Sequence, residues 1–341
     1  MAVKALISTL EEEILDPEEE TFFLFSHEIP SSNLGFIDPR ATELSLTLAG
    51  RDFTIHQSPT VLSSTRAGGT TGAVLWKITP LFATYLSSPS SPFSPIFRPT
   101  SAVLELGCGI SPLTALLLAP RVARYVLTDQ PYVSRMIHQN LEANPLPSSS
   151  SSSKSSSRRK KTGGGASSSS PSSSSTPGVI AFQSLDWELD TPDPSLTGSP
   201  TIRSFDAIVC CDCIYNEALV APLVSATADL ARLRLRERED RAEARDSANN
   251  NALLQDHHSS AFSSSSSSSS PPSSHADRSE PCVCIVAQQL RSPDVFEEWA
   301  RAFHRDFRVW RVPDALLPDG LRIDSGFVVH VGILREAETE F

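Results

Sequence analysis

Short apolar runs alternate with amphipathic stretches along most of this 341-residue chain. Residues 102–106 (AVLEL), 125–128 (YVLT), 179–185, 205–211, 282–287, 307–312 and 326–334 are brief and rich in branched or aromatic side chains, which predicts strands. Residues 112–118, 133–144, 219–233 and 295–303 carry apolar positions at helical spacing, as with Met136, Ile137 and Leu141, and predict helices. Strand alternating with helix implies a parallel sheet covered on both faces. The last two strands follow each other without a helix of useful length, so an antiparallel pair is expected at that edge. The expected fold class is α/β, with a Rossmann-like sheet.

Two segments lack any such pattern. Residues 147–178 are almost all Ser around Arg158-Arg159-Lys160-Lys161 and Gly163-Gly164-Gly165. Residues 235–280 begin charged and helix-compatible, then pass into Asn249-Asn250-Asn251 and a Ser run from Ser263. Neither buries enough apolar surface to offset chain entropy, so both read as disordered surface inserts. Without them about 260 residues remain, a single-domain size. The expected division is an N-terminal extension, 1–67, partly ordered, followed by one domain over 68–341. The basic tetrad reads as a solvated charge cluster, with a localisation or nucleic-acid patch as the alternative.

Charge and cysteine usage narrow the class of partner. The chain has 40 acidic and 29 basic residues, a formal net charge of −11. That argues against a general phosphate-backbone binder and favours a basic partner. No run approaches the roughly 18–20 apolar residues of a membrane span. The first residues turn acidic at once, unlike a signal or transit peptide. Cys108, Cys210, Cys211, Cys213, Cys282 and Cys284 lie in or beside apolar runs, which suits reduced core thiols of a cytoplasmic or nuclear protein. Cys-x-Cys at 211/213 and 282/284 points alternate side chains to opposite strand faces, and no His stands at zinc spacing, so no metal is expected. A monomer is the default expectation.

Candidate chemistry gathers where the predicted strands end, which is where open α/β sheets bind ligands. Glu105-Leu106-Gly107-Cys108-Gly109 lets the backbone turn sharply and approach a ligand. The third glycine of Gly-x-Gly-x-x-Gly is replaced by Pro112, which weakens a dinucleotide reading. Asp129, about twenty residues on, suits the two hydroxyls of a ribose. Trp187, after Asp186, offers an indole to a purine. The turn from Cys210 to Tyr215 closes the set. Each has a plainer alternative: Trp76 and Trp187 as half-buried core aromatics, Asp212 as a helix cap, Tyr215 as packing.

Taken together, these residues resemble the class I, seven-β-strand methyltransferases that use S-adenosylmethionine. The Glu-Leu-Gly-Cys-Gly run is similar to their first motif and Asp129 to their second. Thr71-Gly72-Ala73-Val74-Leu75-Trp76, Asp186-Trp187 and Asp212-Cys213-Ile214-Tyr215 resemble the family 16 protein-lysine methyltransferases, whose signature after the fourth strand is Asp/Glu-x-x-Tyr/Phe. Trp76-Lys77-Ile78-Thr79-Pro80, Leu127-Thr128-Asp129-Gln130 and Val286-Ala287-Gln288-Gln289-Leu290-Arg291-Ser292 look most like the fungal ribosomal-lysine branch of that family. The likeness runs from Gly68 to Leu334 apart from the inserts. It implies methylation of a lysine in a large-subunit ribosomal protein, of L1 type, with another protein, a nucleic acid or a small molecule as the alternative acceptor, or a binding module that kept the fold. It implies that Glu105 belongs to the cofactor-binding run, that Trp76, Gly107, Cys108 and Gly109 wall the methionine, that Asp129 holds the ribose and Trp187 the adenine, and that the backbone at Cys211 lies beside the reaction centre. Asp212 would orient the incoming ammonium and Tyr215 shape its channel, neither acting as a strong general base.

Overall fold

A computed structural model of the chain describes residues 2–32, 34–65, 69–147, 178–256 and 279–336. In chain order the elements are α1 (Ala2–Ile7), β1 (Glu13–Ile14), α2 (Pro17–Phe25), β2 (Glu43–Leu48), β3 (Arg51–His56), α3 (Pro59–Leu62), α4 (Ile78–Ser87), β4 (Ala102–Leu106), α5 (Leu113–Leu118), β5 (Arg124–Asp129), α6 (Ser134–Ala143), β6 (Val179–Ser184), β7 (Ala207–Cys211), α7 (Val220–Asp256), β8 (Val283–Gln289), α8 (Pro293–Asp306), β9 (Phe307–Arg311) and β10 (Phe327–Leu334). The main sheet has eight strands in the order β1-β9-β10-β8-β7-β4-β5-β6. Strands β6, β5, β4, β7 and β8 are mutually parallel, while β10 runs antiparallel to both β8 and β9. The result is the expected mixed α/β sheet of Rossmann-like type, with one further short strand, β1, added at its edge.

Burial explains why these runs are strands. All five residues of β4 and of β7, and all seven of β8, are buried, which is the signature of central parallel strands covered on both faces. One core layer packs α4, α5 and the β2–β3 hairpin against Val103, Tyr125, Val209 and Val329. The other packs α7 and α8 against Leu104, Ile208, Cys284 and Val328. All six cysteines are buried and unpaired. Among the described residues no helix is long and apolar enough to cross a membrane.

The N-terminal segment docks on this sheet: β1 joins its edge, while β2 and β3 form a separate two-stranded sheet. Strand β1 pairs with β9 through Glu13↔Trp310 and Ile14↔Val309. The acidic run of residues 11–20 faces arginines: Glu13 meets Arg308, Glu11 and Glu20 meet Arg311, and Glu18 meets Arg301. His330, buried on β10, shares a 2.9 Å contact with Glu20. The β2–β3 hairpin docks on α6 through two buried amides. Asn140 accepts from the His56 backbone N–H at 2.7 Å, and Asn144 from that of Thr54 at 2.9 Å. Each returns a hydrogen bond to the carbonyl of the same residue. Two side chains thus stand in for a neighbouring strand, leaving few unpaired groups along β3.

Helix α7 runs 37 residues, past the expected stop at Leu233. Arg234 explains the continuation: its guanidinium is buried and pairs with Asp206 at the start of β7 and with Glu237. The helix therefore enters the stretch read as an insert from residue 235. The basic tetrad and the Ser run from Ser263 lie outside the described residues.

Candidate active site

Chain direction sets the position of the site. From β4 the chain steps outward to β5 and β6, then returns to place β7 on the other side of β4. Helices after successive strands therefore part above the β4–β7 boundary, leaving a crevice at the carboxyl ends. A cleft with about 910 Å³ of atom-free space, open mouth included, occupies that crevice. Its walls come from the turns after β4, β5, β6 and β7 and from residues 69–79, which fold across the top.

The glycine turn forms the floor. Gly107 and Gly109 have φ of +66° and +56°, conformations that side chains rarely adopt. At Gly107 a Cβ would stand 2.9 Å from Cys213 Sγ and 3.0 Å from the Trp187 ring. At Gly109 it would meet the Gly72 carbonyl oxygen at 2.9 Å. Gly72 in turn accepts a 2.9 Å hydrogen bond from the Ile110 N–H, which fixes the covering segment over the turn. Glu105 touches the floor from within the sheet and accepts a 2.8 Å bond from the Tyr125 hydroxyl. Burial pushes its carboxyl up to about 8, so it is mainly neutral at pH 7. Cys108 is held by its N–H to the Thr128 carbonyl, and burial pushes its thiol well up.

Asp129 ends β5 deep in the cleft. Its Oδ2 accepts from the Gly109 N–H at 2.8 Å and its Oδ1 from the Gln130 N–H at 2.7 Å. Each oxygen keeps acceptor capacity toward the cleft. Burial, with the Asp186 carboxylate nearby, pushes Asp129 up to about 6 against those two N–H donors. Gln130 also donates to Asp186 at 3.3 Å. Trp187 stands over Gly107, and its buried indole N–H has no acceptor among the described residues. A planar ligand with ring nitrogens would supply the missing acceptor. Trp76 forms the opposite wall. Its N–H donates to the Thr71 carbonyl at 3.2 Å, and its ring packs on Phe36 at 4.3 Å.

The turn after β7 departs most from expectation. Asp212 has φ +63°, a strained position for a residue with a side chain, worth on the order of 1–3 kcal/mol. Its surroundings hold it there. The Asp212 N–H extends the ladder to the Ala287 carbonyl at 2.8 Å. Its carboxylate is gripped by Arg291 through Nη1–Oδ1 at 2.6 Å and Nη2–Oδ2 at 2.5 Å. Gln288 Nε2 and the Gln289 N–H add bonds to Oδ1 at 3.1 and 3.2 Å. Asp212 thus lines the cleft as a carboxylate paired with Arg291. Tyr215 is a third exposed at the rim, and Cys211 lines the wall between Thr79 and Asp212.

The expected residues Trp76, Glu105, Gly107, Cys108, Gly109, Asp129, Trp187, Cys211, Asp212 and Tyr215 all border one cleft. Gln130 and Tyr132 join them on the lining, and Arg291 and Gln288 stand behind Asp212, all four unforeseen as site residues. Arg291 is 79 positions from Asp212, and nothing local in the sequence marks such a pairing. Electrostatics complete the description. Glu105, Asp129, Asp186, Glu188 and Asp212 line the cleft, and no Lys, Arg or His does among the described residues.

No protein-family model matches the chain. Over 203 residues it is 31% identical to ribosomal lysine N-methyltransferase 5 of Zygosaccharomyces rouxii, covering 54% of this chain and 62% of that protein. The chain resembles ribosomal lysine N-methyltransferase 5. It is also 32% identical over 215 residues to a Schizosaccharomyces pombe protein named diaminohydroxyphosphoribosylamino-pyrimidine deaminase, covering 63% of this chain and 44% of that one. The chain spans less than two thirds of the length of either relative. Among solved structures, the T. thermophilus 16S rRNA N2 G1207 methyltransferase, in complex with AdoMet and guanosine, aligns with a TM-score of 0.40 at 14% identity, over 86% of this chain and 50% of that one. Likeness at that level adds nothing to what the strand order already shows.

Proposed function

We propose that the chain is an S-adenosylmethionine-dependent protein-lysine N-methyltransferase acting on a large-subunit ribosomal protein. The observation that carries this reading is the charge of the cleft. It sits at the switch point of the sheet and is lined by the carboxylates Asp129, Asp186 and Glu188, beside a neutral Glu105 and an Asp212 paired with Arg291, with no basic residue in the lining among the described ones. A pyrophosphate or nucleic-acid backbone is repelled there. A sulfonium, an α-ammonium and a lysine side chain are attracted. The likeness to ribosomal lysine N-methyltransferase 5 points to the same acceptor class. Six unpaired thiols suit a cytoplasmic setting, where ribosomal proteins are made.

The residues fit the cofactor. The two positive-φ glycines leave space that any Cβ would fill. The Asp129 oxygens, steadied by backbone N–H groups, face a ribose, and the orphaned Trp187 N–H matches a purine nitrogen. When bound, S-adenosylmethionine supplies a methyl group already activated by its sulfonium. What remains for the protein is positioning. Trp76 and the Gly72 segment exclude water from above. Tyr215 and Asp212 border the path by which a side chain enters. The lysine proton leaves to water beforehand, so no strong base is required of Asp212. The burial that pushes the Tyr215 hydroxyl up keeps it a neutral donor.

The deaminase name of the S. pombe relative does not transfer. Zinc deaminases carry His-x-Glu and Pro-Cys-x-x-Cys. This chain has Pro281-Cys282-Val283-Cys284, which is one residue short, and no His-x-Glu. The match covers 44% of that relative, so its name can describe another part of it.

The test offers labelled S-adenosylmethionine with three acceptor pools separately: large-subunit ribosomal proteins, ribosomal RNA and small amines. Label in the protein pool alone is expected. Label in RNA with none in protein contradicts the reading.

A further inference from the structure

We infer that Arg291 is a positioning residue that makes the amine entrance electrically neutral, so that an acceptor lysine meets a paired carboxylate rather than a bare one. The inference rests on the lysine-methylation reading above and concerns how that same site selects the uncharged amine.

The geometry is specific. Asp212 Oδ1 accepts three donors: Arg291 Nη1, Gln288 Nε2 and the Gln289 N–H. Among the described residues Oδ2 accepts from Arg291 Nη2 alone. A carboxylate oxygen has about two acceptor sites, so the remaining capacity lies on Oδ2. The guanidinium does not itself line the cleft. It lies behind Asp212 and 4.6 Å from the centre of the Trp76 ring, so it touches both side chains that border the entrance. Gln289 Oε1 accepts from Arg291 at 3.2 Å and from the Gly35 N–H at 2.8 Å, tying this cluster to the loop that carries Phe36. A positive-φ aspartate, a bidentate arginine and two glutamines thus hold one acceptor position in one orientation.

The charge consequence follows from elementary electrostatics. Transfer requires the neutral amine, and free lysine loses its proton only near pH 10.4. A bare carboxylate beside the amine favours the ammonium and delays that loss. Pairing Asp212 with Arg291 removes this bias yet leaves Oδ2 able to accept one N–H. The other groups facing the pair are the Cys211 and Cys213 thiols and the Tyr215 hydroxyl after β7, Glu105 on β4 and Asp129 on β5. Burial pushes the Cys211 thiol and the tyrosine up and lifts Glu105 to about 8, and a hydrogen bond with Cys210, then burial, pushes the Cys213 thiol up, so all four are mainly neutral at pH 7. The charged groups left in and behind the cleft are Asp129, Asp186, Glu188, Asp212 and Arg291, of which the last two pair with each other.

The experiment is the pH profile of kcat/KM for labelled methyl transfer to large-subunit ribosomal proteins, comparing wild type, Arg291→Gln and Arg291→Lys. Arg291→Gln is expected to move the lower pH limb about one unit alkaline, a roughly tenfold loss at neutral pH that is recovered on raising the pH. Arg291→Lys keeps the charge and should keep the limb near its wild-type position. A uniform loss at every pH, with the limb unmoved, overturns the inference and leaves Arg291 a structural strut. If Arg291→Gln does not fold, the Asp212→Asn/Arg291→Gln double variant buries no unpaired charge. Its limb should lie at the wild-type position, and an alkaline limb contradicts the inference. Wild type that labels no protein removes the lysine reading itself, an outcome distinct from transfer with an unmoved limb.

Discussion

At the scale of single residues, the cleft is governed by how burial treats each carboxylate. Asp129 carries the largest expectation for ligand binding. Asp129→Ala should weaken S-adenosylmethionine binding by about tenfold or more in calorimetry, as loss of a charged acceptor does. Unchanged affinity removes it from the ribose role. Its raised pKa has a visible sign. Below about pH 6 the folded carboxyl is protonated and accepts hydrogen bonds poorly, so affinity should fall between pH 7 and 5. A flat profile contradicts this. Glu105 gives a stability test. Its folded pKa, about 8, lies above the 4.5 of an ordinary glutamate. Its contribution is therefore fully present below pH 4.5 and is lost as pH rises to about 8. Glu105→Gln should flatten that fall in Tm and make the variant relatively more stable at pH 8. An unchanged slope means the buried carboxyl ionises without penalty.

At the scale of elements, legibility tracked how local the cause was. β4 falls on the expected residues, and β5, β7, α6 and α8 lie within a few residues of theirs, because burial on both faces or one amphipathic stripe is written in the sequence itself. The extent of α7 was hidden, since Arg234 is buried by Asp206 from a distant strand. Strand β1 is two residues long and exists because β9 offers an edge, which no periodicity announces. The acidic run of residues 11–20 spans β1 and the start of α2. It is taken up largely by Arg301, Arg308, Arg311 and His330. This makes the N-terminal segment a clamp on the sheet edge. Glu20→Ala leaves Arg311 and buried His330 without their shared carboxylate, and should cost about 3–5 kcal/mol in chemical denaturation. A loss below 1 kcal/mol shows that the clamp is dispensable. The Glu20 carboxyl is held below its ordinary value despite burial, by His330 first and Arg311 next. Its contribution is present above about pH 4.5 and lost as pH falls through the lowered value.

At the scale of the molecule, the points where the described chain resumes after the low-complexity stretches and the cleft lie at opposite ends of the strands. The stretch of residues 148–177 joins the described chain next to Val179, which pairs with Arg124 at the start of β5. The stretch of residues 257–278 rejoins before Val283, which pairs with Ala207 at the start of β7. Both re-entry points are at the amino ends of the strands, and the cleft is at the carboxyl ends. Extra length in a chain connection changes closure entropy only slowly. Removing residues 148–177 should leave cofactor affinity and cooperative unfolding intact, as read by calorimetry and circular dichroism. Loss of either shows that the segment supports the fold. The strand-end residues of the cleft were legible because each follows a recognisable strand. Arg291 was not, because its meaning comes only from the side chain it meets across the sheet.

The measurement that bears most directly on the proposed activity is peptide mass spectrometry of large-subunit ribosomal proteins after incubation with the enzyme and isotope-labelled S-adenosylmethionine, with Asp212→Ala in parallel. The expected result is label on a lysine ε-nitrogen with wild type, sharply reduced by Asp212→Ala while cofactor binding persists. Cofactor binding without any labelled lysine, or label that survives Asp212→Ala at full rate, contradicts the site as proposed.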